Sequence, residues 1–305
     1  MNIGVDIGGT KTNLGLVTDK GKVLASAKLP TRKDSPETLV KEIADCANGL
    51  LKAQGLSLQD VAFIGAGVPG TVDTSTGLVS YCPNLEWYDV PIGDFFFQAF
   101  AREVKVAQDS RNGALAEKLF GAGKDYTDLL CITIGTGIGC GIILGGKVLN
   151  GAMNTAGEVG HTPIVKDGLP CMCGKRGCLE RYVSGTGIAE RALQAHPELF
   201  EGREAKSETV FELAYQGNRD MLALIDESMD YLAMALANAV SLLSPQTIII
   251  SGGLCVHDEL VVKPLKEKIY HYGYYSWTRL NKLTVQKALL GSDAPMIGAA
   301  MLGRA

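Results

Sequence analysis

One histidine and three cysteines, His161, Cys171, Cys173 and Cys178, lie in the stretch HTPIVKDGLPCMCGKRGCLE, which runs from His161 to Glu180. Imidazole and thiolate are the donors zinc prefers, and four of them make the closed tetrahedron of a structural site, with no position left for an activated water. Gly174 and Gly177 let the backbone fold tightly around such a metal. Unrelated thiols in a loop are the competing reading of the same spacing. The chain has 8 cysteines. The other five, Cys46, Cys82, Cys131, Cys140 and Cys255, sit singly among apolar or glycine neighbours and read as small buried hydrophobes.

Two glycine-rich stretches suggest a second chemistry. DIGGTKT (Asp6–Thr12) and TIGTGIGCG (Thr133–Gly141) each place glycines at the tip of a strand-to-strand turn. There, backbone N–H groups can converge on phosphate oxygens. Gly8, Gly9, Gly135, Gly137 and Gly139 supply that backbone, Thr10, Thr12 and Thr136 add hydroxyls, and Lys11 is a counter-charge. Asp6 can hold Mg²⁺ through water. A third glycine turn, at Ser251–Gly253, can receive a nucleoside through Gly253. One such loop alone reads as an ordinary hairpin, but two in corresponding positions favour phosphate. GAGVPG at Gly65–Gly70 matches a dinucleotide fingerprint, yet TVDTSTGLVS follows where a helix would have to open. That match is a decoy.

These groups need elements to hold them. NIGVDIG, TNLGLVTD and KVLASAKLP read as strands, and SPETLVKEIADCANGLLKAQG as a helix. In that helix Ser35 is the cap, Pro36 the first residue and Gly55 the stop, with Leu39, Val40, Ile43, Ala47, Leu50 and Leu51 on one face. VAFIGAGVPG and VKVAQDS are further strands, and RNGALAEKLFGAG is a helix. The second half repeats the order: strands DLLCITIGTG and GCGIILGGKVLN, a long helix ending in ANAVSLLSP, strand TIIISGG, a helix, strand LTVQKAL and a final helix DAPMIGAAMLG. The pattern predicts two α/β lobes with a cleft between them. Residues 1–121 and the last helix, about 293–305, form the first lobe; residues 122–292, with the cysteine loop, form the second.

DIGGTKT, GVPGTVD, PNLEW, TIGTGIGCGII, GEVGH and CMCGKRGCLE together resemble the ROK family of bacterial sugar kinases over essentially the whole chain. The resemblance implies an actin-like ATPase, ribonuclease H-like fold and decides for zinc over unrelated thiols. It implies ATP and Mg²⁺ at the glycine loops. Sugar would lie against Gly70, Thr71, Asn84, Gln108, Asp109, Glu158, His161 and Glu180. Held beside the metal, Glu158 and Glu180 can accept hydrogen bonds from sugar hydroxyls, and His161 can offer its second ring nitrogen. The resemblance also makes Asp109 the general base; by itself, an aspartate before a helix reads as a cap. Around it the chain has Gln-Asp-Ser-Arg where the family usually has Asn-Asp-Ala-Asn, so Gln108 and Arg111 depart from the pattern and bear on which sugar is used.

The expected activity is ATP-dependent phosphorylation of a hexose, glucose to glucose 6-phosphate. N-acetylmannosamine, N-acetylglucosamine and allose are the alternative substrates. A formal net charge of −4 with interleaved signs argues against nonspecific nucleic-acid binding. No apolar run approaches the ~20 residues of a membrane span, and no secretory signal is evident; the expected location is cytoplasmic and the expected assembly a homodimer. A sugar-responsive repressor of the same family is the rival of another class. It is disfavoured because the phosphate-loop strand begins at residue 2, leaving no room for a DNA-binding domain.

Overall fold

A computed structural model describes residues 1–304 of the chain. Contacts divide it into two compact units. The first takes Met1–Thr127, Gly141–Ala156 and the chain from Leu289 onwards; the second takes Asp128–Cys140 and Gly157–Ala288. This partition differs from the sequence-based one mainly in giving 141–156 to the first unit. Ala305, at the end of the 293–305 stretch, lies outside the described residues.

In the first unit, β1 (Asn2–Ile7), β2 (Lys11–Val17) and β3 (Val23–Pro30) form an antiparallel meander. After α1 (Pro36–Ala53), β4 (Phe63–Val68) returns parallel to β1. A small antiparallel sheet follows, made of β5 (Thr71–Asp73), β6 (Leu78–Cys82) and β7 (Trp87–Pro91). Gly70 thus leads into a strand and no helix opens there, so the dinucleotide fingerprint fails in structure as it does in sequence. Then α2 (Ile92–Phe100), β8 (Lys105–Gln108) and α3 (Asp109–Phe120) complete the first half of the chain, with β8 parallel to β4. The first large sheet has the order β3-β2-β1-β4-β8.

The core of this unit follows the predicted periods. Ile3, Val5, Ile7, Leu14 and Leu16 are fully buried against Leu39, Val40, Ile43 and Ala47 of α1. Leu50 is half-buried at the margin of that face. Ser35 does not cap α1 in the expected way: its hydroxyl donates to Thr38 Oγ1 at 2.6 Å and makes no bond to the helix backbone.

The remaining strands are β9 (Leu129–Ile134), β10 (Ile138–Leu144), β11 (Lys147–Val148), β12 (Thr247–Ser251) and β13 (Thr284–Lys287). Their order, β11-β10-β9-β12-β13, repeats that of the first sheet position for position. Strands β9, β12 and β13 run parallel, as β1, β4 and β8 do. The two glycine turns therefore occupy equivalent places, β1–β2 and β9–β10. The helices of the second half are α4 (Glu180–Val183), α5 (Gly185–Ala195), α6 (Ser207–Tyr215), α7 (Arg219–Leu243), α8 (Val262–Tyr272) and α9 (Tyr275–Leu280). The last helix, α10 (Ala294–Ala299), packs on β1 and β4 in the first unit. It comes so close that a Cβ on Gly4 or Gly65, which are register partners, would sit 2.0 Å from the carbonyl oxygens of Met296 and Ala299 respectively. Among the described residues, no helix is long and apolar enough to cross a membrane.

Candidate functional site

Two carboxylates mark the first unit. Asp6 lies near the end of β1, and Asp109 is the first residue of α3, directly after β8. Strand β4 runs between them in the sheet, and its residue at that level is Gly67, paired with Asp6 on one side and Ala107 on the other. Gly67 has no side chain to separate the acids; a Cβ there would lie 3.4 Å from Asp109 Cα. Burial, and then the charge of Asp109, push the Asp6 carboxyl up to about 7, while a hydrogen bond from Asn13 Nδ2 at 3.1 Å works in the opposite direction. Asp109 is not a helix cap. Gln108, with extended backbone, holds the cap position, and the Ser110 N–H donates to Asp109 Oδ1 at 2.6 Å. Amide dipoles at a helix start favour an anion there.

The sugar-side candidates of this unit lie on the connection from β4 to β5, at the start of β5, between β6 and β7, and at the end of β8. Gly70 has a left-handed φ of 87°, and a Cβ would come within 2.2 Å of the Tyr81 carbonyl oxygen, so only glycine fits. Thr71 opens β5 opposite Tyr81, Asn84 is exposed between β6 and β7, and Gln108 is buried at the end of β8. Cys82 is buried, as expected, but lies within the field of Asp109. Burial pushes its thiol up to about 11, and the aspartate adds to the effect. Cys131, Cys140 and Cys255 are buried as well, whereas Cys46 is only half-buried.

The β1–β2 turn exposes Thr10 and the Lys11 side chain and leaves Gly9 half-buried, and the Gly8 N–H donates to the Lys11 carbonyl at 3.0 Å. Thr12 departs from its expected role. It is fully buried, and its hydroxyl lies 2.9 Å from that of Thr31, which donates to the Gly8 carbonyl. Its side chain braces the turn from inside and does not face a phosphate.

In the second unit, the β9–β10 turn forms part of the wall of a cavity of about 670 Å³. Gly135 and Thr136 line one part of it. Gly253 lines another, with Gly185 and Thr186 at the start of α5, Lys206 and Ser207 at the start of α6, and His257. The volume is in the range of small-molecule pockets, about 300–1,000 Å³. His257 stacks on Phe211, ring centroids 3.9 Å apart and planes 6° apart, and burial holds its pKa below the ordinary histidine value. The structure thus brings Gly135, Thr136 and Gly253 to one cavity, whereas Gly139 lies within β10 and does not line it.

His161, Cys171, Cys173 and Cys178 converge, with one ligand atom from each, all within 4.8 Å of one another. Cys171 Sγ is 3.7 Å from His161 Nδ1, and Cys173 Sγ is 3.6 Å from Cys178 Sγ. A zinc with Zn–S bonds of about 2.3 Å and a Zn–N bond of about 2.0 Å spans such separations as a tetrahedron. Burial, then the neighbouring thiols, push the Cys178 thiol well above its ordinary value. A cation would reverse that, because it stabilises the thiolates. Gly177 has φ 74°, and a Cβ would stand 1.7 Å from the Val165 carbonyl oxygen. The turn closes on the ligands there only with glycine. Glu158 heads the short turn Val159–His161. Glu180 begins α4, and its Oε2 accepts from the Ile138 N–H at 2.9 Å. A Cβ on Gly137 would come within 2.5 Å of the same oxygen. One glutamate therefore joins the cysteine loop to the β9–β10 turn.

Sequence reasoning missed several of these partners. Asn13 is visible inside DIGGTKTN, but nothing local ties it to Asp6. The start of α5 carries a signal, Ser184 before Gly-Thr-Gly, and Ser184 Oγ indeed caps it by accepting from the Gly187 N–H at 3.0 Å. His257 and the contact between Glu180 and the β9–β10 turn leave no mark in any single motif.

The ROK family profile matches residues 2–305. The chain is 34% identical to a glucokinase of Halalkalibacterium halodurans, over 98% of this chain and 94% of that protein. Its fold matches a ROK family glucokinase from Streptomyces griseus solved with glucose and AMPPNP, at TM-score 0.82 and 34% identity over 99% of each chain. It also matches a ROK family transcriptional regulator, a homolog of the E. coli MLC protein, at TM-score 0.88 and 27% identity, over 99% of this chain and 77% of that one. The fold is that of the actin-like ATPases.

Proposed function

The chain belongs to the ROK family, and on that premise we propose that it is an ATP-dependent hexose kinase converting glucose to glucose 6-phosphate. The observation that carries this reading is Asp109, a carboxylate at the first turn of α3, within the electrostatic reach of Asp6. In the reaction, O6 of the sugar attacks the γ-phosphorus of ATP while the bond from that phosphorus to the β–γ bridging oxygen breaks. Asp109 accepts the proton that O6 loses. Sugar hydroxyls are oriented by Asn84, Gln108, Glu158, His161 and Glu180 and by the backbone at Gly70 and Thr71. Nucleotide phosphates meet Gly8–Lys11 and Gly135–Gly137, and the nucleoside enters the cavity beside Gly253. The identity with glucokinases of known name supports glucose as the first substrate, and the glucose and AMPPNP of the Streptomyces griseus structure support both partners of the reaction.

The two metals have separate places. Asp6 is the residue that would hold Mg²⁺, through water; the metal would neutralise charge on the phosphates, and with it bound the Asp6 carboxyl is ionised. His161, Cys171, Cys173 and Cys178 would hold a structural zinc. With Cys178 fixed, Glu180 is fixed two residues later. His161 turns Nδ1 towards the thiols, which leaves Nε2 for a hydroxyl.

Asp109→Asn tests the proposal. The amide keeps nearly the same shape and can still hydrogen-bond a sugar, but it accepts no proton at neutral pH. Loss of a general base costs roughly 10²–10⁴-fold in rate. The expected result is a kcat lower by that factor, with sugar affinity by calorimetry changed only a few-fold, the pattern of an interaction made in the transition state. A variant within a few-fold of the parent rate removes Asp109 from the chemistry and directs the search for the base to Glu158 and Glu180. N-acetylmannosamine, N-acetylglucosamine and allose are run beside glucose as competing substrates.

A further inference from the structure

The first unit contains a second, smaller cavity of about 260 Å³ that the proposed reaction does not use. Lys105 reaches it from β8, Lys147 from β11, and Arg111 and Asn112 from α3, while Thr74 and Asn150 complete its polar lining. No carboxylate lines it. Arg111 is almost fully buried and donates through Nη2 to the carbonyls of Asn154 at 2.8 Å and Ala156 at 2.9 Å. Both lysines are exposed, and neither ammonium forms an ion pair among the described residues. Two unpaired lysines thus line one small space that no carboxylate lines.

Asn112 adds a second, independent observation. It is 0% exposed, and neither its Oδ1 nor its Nδ2 has a hydrogen-bond partner. Buried amides are nearly always paired, because leaving one unpaired forfeits its hydration without return. An asparagine so placed, in the wall of a cationic cavity, marks a space that a polar ligand fills.

From this lining we infer that the cavity binds a small phosphoanion, a phosphorylated sugar or free phosphate. Lysine is a strong partner for phosphoryl oxygens, and charge-assisted hydrogen bonds of this kind are about twice as strong as neutral ones. Thr74, Asn112 and Asn150 offer both donors and acceptors, the complement of hydroxyl groups. The volume admits a ligand the size of a hexose phosphate and excludes a nucleotide. The ligand class follows from the cavity alone and needs no assumption about the reaction.

The test is calorimetry on the full chain at low salt, with glucose and AMPPNP present throughout. Glucose 6-phosphate and inorganic phosphate are titrated in separate experiments, into the parent and into Lys105→Gln/Lys147→Gln. The expected result is binding of one anion per chain to the parent. It weakens as salt is raised and is at least tenfold weaker in the double variant, which keeps the parent's kinase turnover. Tighter binding of glucose 6-phosphate than of phosphate assigns the hydroxyl contacts to Thr74, Asn112 and Asn150; equal binding assigns the site to the phosphoryl group alone. Either outcome supports an anion site. Absence of binding by both probes, or binding unchanged in the double variant, overturns it.

Discussion

The β1–β2 and β9–β10 turns occupy the same place in two sheets of the same strand order, yet they are built for different work. Beside the first stand two acids, Asp6 and Asp109, one of them raised to about 7 by burial and by its neighbour. Beside the second stand a cavity of about 670 Å³ and a glutamate that accepts from the turn's own backbone. The glycines differ in the same sense. At Gly9 a Cβ would meet nothing within 4 Å, whereas at Gly137 it would strike Glu180. A repeated scaffold thus carries a pair of acids beside one turn and, beside the other, a cavity and a tie to the cysteine loop. Equivalent position in a fold fixes where chemistry happens, and the side chains brought in from elsewhere decide which chemistry it is.

The largest effect on sugar binding should come from cutting the tie between the cysteine loop and the second turn. Purified protein should contain about one zinc per chain by elemental analysis. Cys173→Ser should lose it and weaken sugar binding at least tenfold, because Glu158 and Glu180 lose their anchor. Undiminished sugar affinity in the metal-free variant would show that the loop and the sugar side are independent.

Alanine at the two turns gives the next effect and separates them. Gly9→Ala places its methyl in open space, where only a bound phosphate would meet it. Its apparent KM for ATP should rise about tenfold while sugar binding without nucleotide stays at the parent value. Gly137→Ala displaces Glu180 and breaks its bond to Ile138 N, so sugar affinity should also fall, a few-fold, even without nucleotide. Identical behaviour of the two variants would erase the distinction drawn here.

The smallest effect is a dependence of apo stability on pH. Asp6 titrates near 3.8 in its ordinary state and near 7 in the fold. Its folded pKa is raised, so stability is fully present below about 4 and is lost as pH rises through about 7. Three units correspond to about 4 kcal/mol as an upper limit, and partial exposure of Asp6 reduces this to about 1–2 kcal/mol. Without Mg²⁺ or nucleotide, Asp6→Asn should therefore gain a few °C in Tm relative to the parent between pH 5 and pH 8. A difference that stays constant with pH would mean that neither burial nor Asp109 raises the Asp6 carboxyl.

Much of this was readable from residues in order. Alternating apolar runs with glycine turns gave both large sheets, and the His161, Cys171, Cys173 and Cys178 spacing gave a cluster that closes in three dimensions. What stayed hidden depends on contacts between distant segments. The run WYDVPIGDFFFQAF is apolar nearly throughout, so its period does not reveal that it divides into β7 and α2. The burial of the Thr12 hydroxyl depends on Thr31 in the next strand, and the need for glycine at 137 depends on Glu180. Asn112 looks like an ordinary helix-start residue until its buried, unpaired amide is seen.

The central claim is that the acidic end transfers a phosphoryl group from ATP to a sugar. The most direct measurement is a coupled ADP-release assay with MgATP, with and without each hexose and N-acetylhexosamine, on the parent and on Asp109→Asn. The account predicts ADP release that requires a sugar, is fastest with glucose, and collapses in the variant. ADP release independent of any sugar, or none with every sugar tried, would contradict it.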